Sequence, residues 1–573
     1  MSKSRKSAGP ESPRVRRRDL LGTLAAVPAV ALAKTSAADE QTGSETGAVG
    51  EPSIRTDISP VETTAGKVRG VLVGGVYTYK GIPYADPPVG EHRFSRAPKL
   101  TPWTDIRDTL NFGPRCPIEI DDRRDRSTDV FRFLSPTGQP SDALEDCLKL
   151  NIWAPQGDSG RRPVMVWLHA GGFRRGYAQE YLAVDGSNLA HRHDAVVVSL
   201  NHRIGPLGFT NLFTSFGDEA ADSANVGMLD IVDALKWIQE NIEAFGGDPD
   251  NVTVFGQSGG GFKISLLLAM PSAEGLFHRA IIQSGARLRI HDEETTARLA
   301  SRTVKELGIA ENADAIQRLR ELSVSQYLAA AKLASEKIRQ ESNAMPQWAS
   351  PDWWFEPTAG LPHIPDHPGS AGALSRSQSI PLICGCTRNE ISPSGNHPEL
   401  EQLTWSELAT ELEPELGDMT PRAIAAARNS NSKWRPVDVL SILLSRDFRL
   451  AAVEYCNRAG SYPQRAVYNY VFSWHTPHFN GRPKAFHTSD VAFVFDNAQL
   501  VPELTGGGDA PGELAQKMST YWANFARSGD PNGGASTQPH WPRYGAAQKY
   551  AMIFDDTCRA EAMPDKEMID LFL

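Results

Sequence analysis

The stretch that decides the fold runs from Val252 to Gly260 and reads Val-Thr-Val-Phe-Gly-Gln-Ser-Gly-Gly. Its first four residues are apolar or β-branched, which predicts a short buried strand. The glycines on both sides of Ser258 predict a sharp turn, and the apolar stretch 264–270 predicts a helix after it. A strand, a tight turn and a helix with serine at the apex form the geometry in which a serine hydroxyl is exposed as a nucleophile.

Around this turn the sequence alternates between buried strands and helices. Short apolar runs predict strands at 163–168, 195–200, 280–282 and 381–384, and an amphipathic pattern predicts a helix at 231–245. Alternation of this kind predicts an α/β fold with a mainly parallel, doubly wound sheet flanked by helices. The polar, helix-rich segment from Asp292 to Pro365 is interpreted as a helical cap or insertion. No linker divides residues 56–573, which are predicted to form a single catalytic domain.

Composition and charge exclude several classes of protein. The chain has 573 residues, of which 40% are hydrophobic and 22% charged, so it can bury a large core. Its formal net charge of −10 argues against a nucleic-acid partner, because phosphate contacts supply most of the affinity in such proteins. No apolar run is long enough for a membrane span once the N-terminal signal is removed. Six cysteines and an isolated His191-x-His193 pair predict no metal site, and no cofactor is expected.

The N-terminus has the features of an export signal. Residues 1–19 are basic, residues 20–33 are apolar, and Ala31-Leu32-Ala33 fits an A-x-A cleavage pattern. Arg17-Arg18 predicts the twin-arginine route, which carries folded proteins out of the cytoplasm. We therefore expect residues 1–33 to be a signal peptide and residues 34–55 a flexible leader. The mature protein is expected in the periplasm or outside the cell.

A serine nucleophile also needs donors for the oxyanion and a base for its proton. His169-Ala170-Gly171-Gly172 follows a predicted buried strand upstream of the turn. Glycine-rich turns of this kind can direct backbone N–H groups into a cleft. The segment is therefore a candidate oxyanion loop.

Motifs in a fixed order along the chain resemble the type B carboxylesterase and lipase family, which includes the cholinesterases and has the α/β-hydrolase fold. The resemblance extends from Val61 to Phe572. Its marks are Gly81-Ile82-Pro83-Tyr84-Ala85, Glu145-Asp146-Cys147-Leu148, Asn201-His202-Arg203-Ile204-Gly205, Phe245-Gly246-Gly247-Asp248-Pro249, the serine turn, and Phe525-Ala526-Arg527-Ser528-Gly529-Asp530-Pro531.

This resemblance implies the remaining site residues and the activity. It implies Glu390 as the acid and His487 as the base of a triad with Ser258. It implies that the backbone N–H groups of Gly171, Gly172 and Gly259 bind the oxyanion. Ser284 is implied near the acid, although it is equally well explained as a cap on a strand. Asp490, three residues after His487, is interpreted as structural. Together these assignments imply hydrolysis of small to medium uncharged esters through an acyl-enzyme.

The chain departs from the family pattern at three places. Ala170 replaces a glycine of the usual oxyanion motif, and the turn reads Gly-Gln-Ser-Gly-Gly where many members have Gly-Glu-Ser-Ala-Gly. The neutral Gln257 weakens the case for a cationic substrate. The segment from Cys116 to Cys147 lacks the tryptophan with which cholinesterases stack on choline. No specialisation for choline esters is therefore expected.

The resemblance also implies a disulfide between Cys116 and Cys147, whereas Cys384 and Cys386 are interpreted as core thiols. A pairing of Cys456 with Cys558 stays open, as does the oligomeric state. Two other functions stay open as well. One is a non-catalytic binding or adhesion protein on the same fold. The other is an amidase, carbamate hydrolase or acyltransferase that uses the same triad.

Overall fold

A large twisted sheet organises the protein. The computed structural model describes residues 53–118, 129–138, 141–157, 160–312, 314–342, 355–533, 538–545 and 548–573. The predicted signal peptide, and the leader up to residue 52, lie outside the described residues. The described residues from 53 to 573 form one compact unit.

Twelve of the strands in the described ranges form the main sheet, in the spatial order β1-β4-β5-β7-β9-β8-β10-β11-β12-β13-β14-β15. Their bounds are β1 Ile54–Arg55, β4 Val71–Val73, β5 Val76–Pro83, β7 Lys149–Pro155, β8 Arg162–Leu168, β9 Val196–Leu200, β10 Gly247–Gln257, β11 Arg279–Gln283, β12 Leu382–Thr387, β13 Val467–Phe472, β14 Tyr550–Phe554 and β15 Arg559–Ala562. A small second sheet contains β2 Val61–Thr63, β3 Gly66–Arg69 and β6 Arg107–Asp108.

The central strands from β9 to β14 run parallel, and antiparallel pairs close both edges of the sheet. Successive side chains of β8 enter two different cores. Val164 and Val166 pack in one core, and Met165 and Trp167 pack in the other. Both faces of the sheet are therefore covered, which explains why the strand sequences are continuous apolar runs and not alternating patterns. This confirms the predicted parallel α/β sheet.

Helices cover the two faces of the sheet. In chain order they are α1 Val130–Leu134, α2 Ser187–His193, α3 Gly205–Gly208, α4 Phe213–Phe216, α5 Val226–Asn241, α6 Gly259–Leu267, α7 Glu293–Glu306, α8 Ala315–Glu321, α9 Val324–Ser342, α10 Ala371–Arg376, α11 Trp405–Leu416, α12 Thr420–Ser430, α13 Pro436–Leu444, α14 Arg446–Ala459, α15 Val491–Val494, α16 Pro502–Thr505, α17 Asp509–Ser528 and α18 Lys566–Phe572.

Three element boundaries differ from the sequence-based expectation. Helix α5 begins at Val226, five residues before the predicted start, because its first turn is buried as deeply as the rest. In the described part of the predicted cap the helices are α7, α8 and α9, and residues 355–365 form turns and bridges. Ile54 and Arg55, assigned to the leader, pair with β4. Across the ranges given above, no helix combines the length and the apolar character that crossing a membrane requires.

Candidate active site

The predicted turn lies between β10 and α6, at the carboxyl edge of the sheet. β10 ends at Gln257 and α6 begins at Gly259, so Ser258 alone joins them. Ser258 has φ 54° and ψ −119°, a backbone conformation that costs energy for any residue with a side chain. Its N–H donates to the carbonyl of Gln283 over 2.8 Å, which holds the strained turn against β11. This is the strand–turn–helix geometry expected of a nucleophile.

The loop 169–172 packs directly against this turn. A Cβ built on Gly259 would lie 2.2 Å from the backbone nitrogen of Gly172, and one on Gly260 would lie 2.1 Å from the carbonyl oxygen of Leu168. Gly171 and Gly172 have φ values of 92° and 66°, in the region that favours glycine. The structure thus brings Gly171, Gly172 and Gly259 together beside Ser258.

The predicted acid and base are in contact. The Nδ1–H of His487 donates to Oε2 of Glu390. The side chain of Glu390 is fully buried, whereas that of His487 is 29% exposed. Because the carboxylate accepts the proton on Nδ1, Nε2 is left with a free lone pair, as a general base requires. The ring of Phe448 packs on the imidazole with centroids 5.2 Å apart.

Ser284 lies beside the acid. The backbone N–H of Thr387 is shared between Oε1 of Glu390, at 2.9 Å, and the hydroxyl of Ser284, at 3.3 Å. Ser284 also donates its own N–H to the carbonyl of Gly385 over 2.8 Å. The serine therefore helps to fix the end of β12, from which the chain turns to present Glu390.

Asp490 has other partners. One of its oxygens accepts from the Tyr470 hydroxyl at 2.9 Å and from the Gln283 amide at 3.0 Å. Burial raises the pKa of its carboxyl to about 6, against the effect of these two hydrogen bonds. Asp490 thus joins β13 to β11 below the site, in agreement with the structural role expected of it.

Sequence reasoning missed the contact between Gln257 and the base. The amide nitrogen of Gln257 lies 3.3 Å from both ring nitrogens of His487, which places it over the face of the imidazole. It therefore leaves the in-plane hydrogen-bonding positions of both ring nitrogens open to other partners. Its Oε1 is buried and has no hydrogen-bond partner among the described residues. Gln257 also lines a cavity of about 20 Å³ with Ala170, Trp167 and other apolar side chains, which is room for about one water molecule.

A buried lysine was missed as well. Lys263, on α6, is fully buried and donates to the carbonyl of His169 over 2.8 Å. The sequence signal that could have found it is a lysine within the apolar helix directly after the turn.

The cysteines are free thiols in this structure. Cys116 and Cys147 are in hydrogen-bond contact, so their implied disulfide stays a prediction. Cys456 contacts Cys384 and not Cys558, whose sulfur faces the Asp555 carbonyl. Within the described ranges no group of three or more His, Cys, Asp or Glu side chains is arranged to hold a metal ion.

Comparison with known proteins identifies the family. The profile of the Carboxylesterase family matches residues 57–572. The chain belongs to the carboxylesterase family. It is 35% identical to the para-nitrobenzyl esterase of Bacillus subtilis (strain 168) over 521 residues, which cover 88% of this chain and 97% of the relative. It is 33% identical to the phenmedipham hydrolase of Pseudarthrobacter oxydans, with the same coverage of 88% and 97%.

Solved structures confirm the fold of this carboxylesterase. An esterase from Clostridium hathewayi, described as able to hydrolyze aliphatic aromatic polyesters, superimposes with a TM-score of 0.76. The two chains are 32% identical, and the match covers 91% of this chain and 99% of the other. A para-nitrobenzyl esterase structure matches with a TM-score of 0.70 at 34% identity, covering 90% of this chain and 99% of that one. The predicted α/β-hydrolase fold is therefore confirmed, and the protein is a carboxylic ester hydrolase.

Proposed function

We propose that this carboxylesterase cleaves small to medium uncharged esters through an acyl-enzyme on Ser258. The observation that carries the proposal is the contact between His487 and the buried Glu390, together with the contact between the imidazole and Gln257, the residue next to Ser258. A weak nucleophile, an oriented base and a loop of backbone donors are the three parts that acyl transfer needs.

In the proposed mechanism, His487 accepts the Ser258 proton at Nε2 as the hydroxyl oxygen attacks the ester carbonyl. Glu390 holds the imidazole in the required tautomer and stabilises the imidazolium. The N–H groups of Gly171, Gly172 and Gly259 bind the oxyanion. His487 then protonates the departing alcohol, which leaves Ser258 acylated. Water, deprotonated by His487, attacks the acyl carbonyl, and the carboxylic acid leaves as Ser258 regains its proton.

Two features of the site favour substrates whose ester carries an aromatic or other apolar group. Phe448 packs on His487, and Phe131 packs on Phe486, next to the base, with ring centroids 5.3 Å apart. The residue beside the nucleophile is the neutral Gln257, which offers no charge to a cationic substrate. The relatives of this chain include a para-nitrobenzyl esterase, a phenmedipham hydrolase and an esterase that can hydrolyze aliphatic aromatic polyesters.

The first experiment treats the protein with a fluorophosphonate and maps the adduct by mass spectrometry, with Ser258→Ala alongside. We expect one adduct per chain on Ser258 and none on the variant. Folded wild-type protein that forms no adduct would exclude the proposed mechanism.

A substrate panel then tests the range. It contains para-nitrobenzyl acetate, butyl acetate, acetylcholine, an aryl carbamate and an anilide. We expect turnover to be highest with the aromatic ester and lowest with acetylcholine. Preferred cleavage of the carbamate or the anilide would assign the triad to one of the alternative reactions.

We further propose that the protein is exported by the twin-arginine route. The support is the basic segment with Arg17-Arg18, followed by the apolar residues 20–33. Replacing both arginines with lysine should leave the esterase in the cytoplasmic fraction of the producing cell, whereas the unaltered chain should reach the exported fraction. Export of the double variant at the wild-type level would contradict this route.

A further inference from the structure

The lysine on the first turns of α6 occupies an unusual place. Lys263 is 0% exposed, although an amine is costly to bury unless it makes specific hydrogen bonds. Its Nζ donates to the backbone carbonyl of His169 over 2.8 Å and lies 3.5 Å from Nδ1 of the same residue. His169 is the first residue of the oxyanion loop, so the ammonium is bonded to the point at which that loop leaves β8.

Helix geometry explains why this lysine reaches the loop. Gly259 and Lys263 are four residues apart on α6 and so lie on the same face of the helix. Gly259 faces the backbone of Gly172, Gly260 faces Leu168, and Lys263 bonds to His169. These three contacts join α6 to the end of β8 and to the oxyanion loop. Of the three, only that of Lys263 is a side-chain hydrogen bond.

The imidazole of His169 continues the network. Its Nδ1–H donates to the carbonyl of Ala170 over 2.8 Å, which shapes the next residue of the loop. Its ring stacks on His202 at a centroid distance of 4.9 Å, and the Nδ1–H of His202 donates to the carbonyl of Arg203. Two loops at the carboxyl edge of the sheet are thereby linked through the residue that Lys263 holds.

The lowered pKa of Lys263 shows that its burial is costly. Burial lowers the pKa of the lysine to about 7, and the charge of Glu180 opposes this shift only in part. Burial, with the lysine charge as a second cause, also lowers the pKa of His169 and His202 well below the usual value. An amine maintained at this cost beside the catalytic turn requires a functional explanation.

We propose that Lys263 is a positioning residue for ester hydrolysis, which holds the oxyanion loop in place through its bond to the His169 carbonyl. The bond keeps the N–H groups of Gly171 and Gly172 directed at the same point as that of Gly259. Lys263 itself touches neither the substrate nor the nucleophile. The proposal rests on the mechanism given above for Ser258.

Lys263→Met tests the proposal because methionine matches the lysine stem in shape but cannot donate. The substitution removes the cost of burying an amine but leaves the His169 carbonyl without its donor, so the two effects oppose each other and the melting temperature should change little. Since a displacement of a catalytic group by about 1 Å can lower the rate 10²-fold, we expect kcat to fall about 10- to 100-fold with KM nearly unchanged.

Ser265→Ala is the matched control. Ser265 is buried on the same helix, and its hydroxyl donates to the Gly261 carbonyl over 3.0 Å and accepts from the Arg287 N–H over 3.1 Å, so neither bond reaches the loop 169–172. It should keep the wild-type kcat.

A pair of inhibitors separates positioning from a merely structural role. A trifluoromethyl ketone adds to the serine and leaves an oxyanion in the loop, whereas the matching methyl ketone binds without forming that charge. In Lys263→Met the inhibition constant of the first should rise by the same factor by which kcat falls, and that of the second should stay constant. Equal weakening of both ketones, or wild-type kinetics in the folded variant, would overturn the proposal.

Lys263→Arg and Lys263→Gln extend the test in case the methionine variant does not fold. Arginine keeps N–H donors on a long stem and should recover most of the lost rate, whereas glutamine is too short and should not. If both fold and have equal rates, the donor role is overturned. If instead Ser258 forms no fluorophosphonate adduct in wild-type protein, the underlying mechanism has failed, and the two failures are thereby distinguished.

Discussion

Gly259 lies so close to Gly172 that the helix cannot accept a side chain at position 259 without displacing the loop. A Cβ on Gly259 would lie 2.2 Å from the nitrogen of Gly172, 2.4 Å from its oxygen and 2.5 Å from its Cα. The loop of this chain therefore occupies the space that a methyl group at position 259 would need.

Gly259→Ala should therefore displace the oxyanion loop. We expect kcat/KM to fall by about 10²-fold, because the donors would move by a large fraction of an ångström or more. The measurement is steady-state hydrolysis of para-nitrobenzyl acetate, with circular dichroism to confirm folding. Gly545→Ala is the control, since none of the described residues lies within 4 Å of its added Cβ. Wild-type kinetics in Gly259→Ala would mean that the loop moves aside without cost.

Replacement of the acid tests which carboxylate orients the base. Glu390→Gln should reduce kcat about 10³- to 10⁴-fold, because the amide no longer stabilises the imidazolium or holds the required tautomer. Asp490→Asn should retain kcat within about tenfold, since Asp490 bonds to Tyr470 and Gln283 and not to the imidazole. The reverse result would make Asp490 the acid of the triad. Stopped-flow measurement of the acylation burst gives the rates for both variants.

The stability of the protein should depend on the protonation of Asp490. Burial raises its pKa to about 6 in the folded protein, above the ordinary value of an aspartic acid, so the folded state holds this proton more tightly than the unfolded state does. Its stabilising contribution is therefore fully present below about pH 4 and is lost as the pH rises through 6. Asp490→Asn removes this term. The free energy of unfolding of wild type should fall relative to the variant between pH 4.5 and 6.5.

Urea denaturation at pH 4.5, 5.5 and 6.5 measures that difference. Lys263 does not disturb the comparison, because its pKa of about 7 when folded keeps it protonated in both states over most of this interval. A constant difference between wild type and Asp490→Asn across the three pH values would contradict the prediction.

Two pairs of buried thiols offer a test of the predicted disulfide. Cys116 and Cys147 are in contact, and so are Cys384 and Cys456. After equilibration with oxidised glutathione, peptide mapping should find Cys116 linked to Cys147, and the link should add roughly 3–4 kcal/mol to stability through its loop of about 30 residues. Cys116→Ser should show no such gain. A map in which only Cys384 and Cys456 are linked would identify the other pair as the oxidisable one.

Much of the site could be predicted because it depends on local sequence. The turn at Ser258 follows from a strand, flanking glycines and a helix, all within a few residues, and the structure has this geometry at the predicted position. Glu390 and His487 were different, since many carboxylates and 14 histidines are present in the chain. Only their place in family motifs distinguished them, and only the folded chain brings them into contact across 97 residues of sequence.

The sequence by itself determined the order of strands and helices, the strained serine turn and the glycine-rich loop, because backbone sterics and apolar periodicity act over short distances. Only the tertiary structure decided which side chains of these elements are in contact. It placed Lys263 against the His169 carbonyl, Gln257 across the imidazole and Cys456 beside Cys384. These contacts join segments far apart in sequence, and each depends on the way parallel strands and their helices pack, which no local pattern specifies.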